Sequence, residues 1–137
     1  MVIRDEQEVR DRQARRYDRP LGVWAEVERA AFGVAVGSNG YTVVAEAEEL
    51  VRLAASAVAG PVLDVGTGRG WPGRLVVETR AVTLIATDVP VNGLRLARSA
   101  FDSSQVGAAA HVAAADASAL PFQDASFSAV IHADVFC

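Results

Sequence analysis

Asp64, Asp88 and Asp116 each stand at or just past the end of a short apolar run, and after the first comes a glycine-rich turn, Gly66-Thr67-Gly68-Arg69-Gly70. Glycine there permits a tight bend and lets a ligand approach the backbone. The helix that must open near Trp71 adds unpaired N–H groups beside it. Asp88 lies twenty residues beyond Gly68, the separation at which a carboxylate can accept two hydrogen bonds from a ribose diol. Two ligand chemistries compete at this turn. Gly68-Arg69-Gly70-Trp71-Pro72-Gly73 is formally G-x-G-x-x-G, a dinucleotide signature. The first glycine after the strand is Gly66, however, and from there the register reads G-x-G-x-G. Asp64, inside the strand, would repel a pyrophosphate and suit a cationic ligand. Past a fourth apolar run, His132 and Asp134 are the side chains able to take up a proton.

These residues need a scaffold. Residues 4–19 mix Arg and acids at helical spacing and predict a solvated helix, docked through Tyr17 and Trp24, with a second helix over 23–31. Thr42 is a plausible N-cap for a helix reaching residue 59, whose stripe of Val44, Ala47, Leu50, Val51, Ala54 and Val58 calls for a sheet beneath it. Strands at 62–65, 82–87, 111–115 and 127–133 then alternate with helices at 71–79, with Pro72 in its first turn, and 91–101. The expected fold is α/β: a doubly wound parallel sheet with helices on both faces, incomplete after the fourth strand. Two regions follow, a helical arm over 1–40 and a ligand-binding domain over 41–137. In such sheets the crevice lies beyond the carboxyl ends of the strands, where the acids and glycines fall.

Asp64 to Gly70 resembles motif I of the class I S-adenosylmethionine-dependent methyltransferases, a Rossmann-like family. Asp88 resembles that family's ribose-binding acid. Asp116-Ala117, Ala119-Leu120-Pro121-Phe122 and the stretch Asp124 to Val130 resemble its D-A-x-x-L-P-F-x-D-x-S-F-D-x-V segment, with Ser128 in place of the common Asp. The resemblance spans 41–137 and implies S-adenosyl-L-methionine as cofactor. It implies that Asp64, Gly66 and Gly68 serve the methionine end, that Thr67 is among the cofactor-binding residues and that Asp88 holds the ribose. Val89 would pack on the adenine, and Asp116 with Ala117 would read its amino group. His132 is carried as the candidate base. Tyr41 is a candidate to close over the cofactor, Arg69 is expected at the surface, and Asp124 in a turn.

The 137 residues are 51% hydrophobic with a net charge of −4, which fits one globular domain and argues against nucleic acid as the main partner. All thirteen basic residues are Arg, which reads as coding bias. A single Cys excludes an internal disulfide and a cysteine-cluster metal site, so no metal is expected. No apolar run approaches the roughly eighteen residues of a membrane span, so a cytoplasmic protein without a membrane partner is expected. The ending after the fourth strand suggests a truncated product or a remainder supplied by another chain, with self-association through the exposed fourth-strand edge. Three functions stay open. The first is a methyltransferase acting on a small-molecule acceptor. The second is a non-catalytic cofactor-binding fragment or protein-interaction remnant, and the third is an NAD-binding oxidoreductase half.

Overall fold

The computed structural model describes residues 5–18, 21–38, 40–55 and 60–135. Three helices precede the first strand: α1 (Glu6–Tyr17), α2 (Leu21–Phe32) and α3 (Val44–Ala55). Alternation then begins, with β1 (Val62–Val65), α4 (Gly73–Thr79), β2 (Leu84–Asp88), α5 (Val91–Ser103), β3 (Ala110–Ala114) and β4 (Ala129–His132). Asp5 caps α1 by accepting from the Gln7 N–H at 3.1 Å, and Arg15 and Arg16 in its last turn complement the helix dipole.

Thr42 does not cap α3. The helix starts at Val44, and the Glu46 carboxylate reaches back to the Val43 N–H at 3.0 Å, one half of a capping box. The Thr42 hydroxyl is engaged elsewhere, on Asp134. Residues 56–59, expected to end this helix, lie outside the described residues. Pro72 sits before α4 at its N-cap, one position outside the expected first turn. The strand at 127–133 shortens to β4 because Phe127 turns edge-on against Phe122, ring centres 4.9 Å apart, instead of entering the ladder.

The sheet order is β3-β2-β1-β4, every pair parallel. Val62 pairs with Leu84 on one side and Ala129 on the other, and Leu84 with Ala110, so side chains in register share a face. On that face Val62, Leu84, Ala86, Ala110 and Ile131 form one core with Val51 of α3, Val76 and Val77 of α4, and Ala97 and Phe101 of α5. Phe101 is its largest fully buried side chain. Helices were expected on both faces; among the described residues, α3, α4 and α5 all cover this one. The opposite face carries Leu63 and Val65, which are buried, but also Val130, 60% exposed on the edge strand, and the exposed His111 and His132. No helix among the described residues is long and apolar enough to cross a membrane.

Consecutive strands run from β1 outward through β2 to β3, while β4 joins the other side of β1. The winding reverses between β1 and β4, which sets the crevice at the carboxyl ends of these strands.

Candidate functional site

The turn after β1 is held from beneath. Gly66, Gly68 and Gly70 have φ of +71°, +57° and +95°, the left-handed region that side chains resist. The Thr67 hydroxyl donates to Asp64 Oδ2 at 2.6 Å, and the Thr67 N–H donates to the Thr87 carbonyl at 2.9 Å. Asp64 is buried on β1, and a Cβ at Gly73 would collide with its carboxylate, so its side chain points under the start of α4. Burial pushes the Asp64 carboxyl up to about 7, opposed by the Thr67 hydroxyl and reinforced by the charge of Asp88. Asp64 lines neither cavity described below; it shapes the turn that does.

Asp88 closes β2 and is the hub of the site. Its Oδ2 accepts from the Gly68 N–H at 2.8 Å and from the Tyr17 hydroxyl at 3.4 Å, while Oδ1 accepts from the Val89 N–H at 2.8 Å. Burial raises its pKa, and those three donors oppose the rise. Asp116, past β3, accepts from the Ser118 N–H at 2.9 Å and from the Ser118 hydroxyl at 2.7 Å, and it pairs with Arg10 at 3.3 Å. The two Ser118 donors, with Arg10, hold its carboxyl below the usual range.

Two adjoining cavities open here, sharing Gln13, Gly66, Asp88 and Val135. The larger, about 430 Å³, runs under Val9 and Arg10 to Val89, Asp116, Ala117 and Ser118. The smaller, about 140 Å³, lies between Thr67, Gly68 and Trp71 on one side and Arg16, Tyr17 and Asp134 on the others. Of the residues expected at the site, Thr67 and Gly68 line the smaller cavity, Val89, Asp116 and Ala117 the larger, and Gly66 and Asp88 both. The buried Val65 and Trp71 line these cavities, whereas no residue of the core beneath α3, α4 and α5 does.

His132, the expected base, pairs in register with Val65 and is exposed, outside the walls of both cavities. Asp134 is on the wall. Its backbone has φ of +57°, and its Oδ2 accepts from the Tyr41 N–H at 2.9 Å, the Thr42 N–H at 3.2 Å and the Thr42 hydroxyl at 2.9 Å. Tyr41 does not close over the crevice: its side chain is 83% exposed, and its backbone does the work of holding Asp134. Arg69 is not a surface residue either. It is buried, with Tyr17 and Glu28 nearby, and burial lowers its pKa.

The contribution of α1 was missed. Arg10, Gln13 and Tyr17 recur at three and four, so they share one helix face, and that face roofs the crevice. The spacing was readable, although the surrounding charge hid it. No group of three or more His, Cys, Asp or Glu among the described residues could hold a metal ion.

A family described as a methyltransferase domain matches residues 62–137. No curated protein sequence matches the chain. Among solved structures, a geranyl diphosphate methyltransferase in complex with GPP and sinefungin superposes with a TM-score of 0.59 at 15% identity, over 64% of this chain and 33% of that one. TrmN from Thermus thermophilus gives 0.54 at 30% identity, over 61% and 25% of the two chains. The [4+2]-cyclase SpnF gives 0.55 at 23%, over 69% and 36%. The chain therefore spans between a quarter and two fifths of the length of these relatives.

Proposed function

The chain belongs to the methyltransferase domain family, and from that premise we propose that its crevice binds S-adenosyl-L-methionine and serves methyl transfer to a small-molecule acceptor. The observation that carries the reading is the meeting of Gly66, Asp88 and Asp116 around one cavity of about 430 Å³, with Thr67 and Gly68 on the adjoining one. The residues fit such a cofactor: a bend that only glycine adopts easily, and carboxylates from the ends of two further strands. Bound there, S-adenosylmethionine supplies a methyl group activated by a positively charged sulfur.

Asp88 would hold the ribose, Asp116 and the Ala117 N–H would read the adenine, and Val89 would pack against that base. Gly66, Thr67 and Gly68 would border the methionine end, and Asp64 would keep the turn in shape through Thr67. The residues then have two tasks, to align an acceptor and to exclude water. The smaller cavity, walled by Asp134, Trp71 and Tyr17, suits a compact acceptor. Where the acceptor arrives protonated, Asp134 is better placed than His132 to take the proton, because it borders that cavity and three hydrogen bonds fix it. Such an enzyme would act in a cytoplasmic setting and would self-associate, if it does, along the edge of β4.

Calorimetry with S-adenosylhomocysteine and with NAD tests the reading. Binding of the first and not the second is expected, and tight NAD binding would overturn it. The [4+2]-cyclase among the structural neighbours shows this fold under a name other than methyltransferase, which keeps a cofactor-binding module without methyl transfer as the second reading. Transfer of labelled methyl to a pool of small acceptors separates the two.

A further inference from the structure

An ionised carboxylate offers about four acceptor positions. The protein's own donors already take three of them at Asp88: the Val89 N–H, the Gly68 N–H and the Tyr17 hydroxyl. A vicinal diol needs two, so one donor must leave. Gly68 and Val89 donate from backbone fixed by the turn and the strand end, whereas Tyr17 reaches in from α1 with the longest of the three bonds, 3.4 Å. The same helix sends Arg10 to Asp116, across a pair in which both side chains are about half exposed and so contribute little. Two contacts from one helix face thus land on the two acids assigned to ribose and adenine. The rest of the docking is separate: the Asn92 amide donates to the Ala14 carbonyl and to Asp18, both at 2.9 Å, and the Tyr17 ring rests on Gly93.

We propose that α1 is a ligand-displaced latch, in which Tyr17 holds the ribose position on Asp88 and Arg10 the adenine position on Asp116, so that the crevice selects nucleosides bearing an intact vicinal diol. The inference rests on the cofactor reading above. A ligand with both hydroxyls replaces the Tyr17 donor and restores the acceptor count of Asp88. A ligand lacking them leaves the latch shut.

Two measurements test it. Tyr17→Phe keeps the ring on Gly93 and removes only the donor, so it is expected to bind S-adenosylhomocysteine about threefold to tenfold more tightly than the wild type. Arg10→Ala is expected to shift affinity in the same direction. Equal or weaker binding by both variants overturns the latch while leaving the cofactor reading intact, and absence of binding by the wild type overturns both. In the unaltered protein, trypsin should cut α1 at Arg12, Arg15 and Arg16 faster with saturating adenosine than with 2′,3′-dideoxyadenosine. Equal rates, or protection by adenosine, overturn the proposal.

Discussion

The Thr67 hydroxyl donates to Asp64 across 2.6 Å inside the first turn, so a residue of the glycine bend is bolted to a fully buried acid three positions earlier. The acid titrates near 7 in the folded chain, against about 3.9 for an aspartate in an unfolded one. Folding therefore takes up a proton between these values. The Asp64 contribution to stability is fully present below about pH 4 and is lost as pH rises through 7, by an amount on the order of 4 kcal/mol. Asp64→Asn removes that titration, so denaturant unfolding at pH 4.5 and at pH 8 should differ less in the variant than in the wild type. A residual slope of the same sign is expected from Asp88, whose pKa is also raised by burial. Equal slopes in the two proteins would place the titration elsewhere.

Asp88→Ala should weaken S-adenosylhomocysteine binding by about 1.5–3 kcal/mol, the loss expected when hydrogen bonds to a charged group go. Calorimetry reads it directly. Unchanged affinity would remove Asp88 from the ribose role and leave it only as the tie to Gly68.

The segment before α3 depends on Asp134. Asp134→Ala strips three donors of their common acceptor and should speed amide exchange at Tyr41 and Thr42. Gly40→Ala should do the same while leaving Asp134 in the sequence, because a Cβ there collides with the Asp134 carboxylate and pushes it from its donors. Exchange as slow as in the wild type in both variants would show that other contacts hold this segment.

Phe101→Ala empties the centre of the apolar face and should cost about 3–5 kcal/mol by chemical denaturation. The affinity of the folded fraction for S-adenosylhomocysteine should stay within twofold, since Phe101 lines neither cavity.

Much of this was legible from residue order. The strands from Val62 to Val65 and around Leu84 are short, apolar and punctuated by Gly or Pro, so pattern and burial agree, and the acids at their ends announced the crevice. Local signals failed where a distant partner decided the outcome. Thr42 looks like a cap until Asp134, ninety-two positions away, claims its hydroxyl. Arg69 looks exposed because nothing nearby in sequence tells that it ends up buried near Tyr17 and Glu28. Tyr17 was legible as an anchor for the arm, but its hydroxyl bond to Asp88 spans seventy-one positions and follows from no local rule.

The apolar residues that hold the helices to the sheet and the rim residues that meet a ligand are separate sets. Evolution could exchange rim side chains to suit a new acceptor while the interior keeps its folding free energy, so drift in chemistry incurs little thermodynamic penalty. That partition offers a physical reason why one architecture should recur under proteins named for such different reactions.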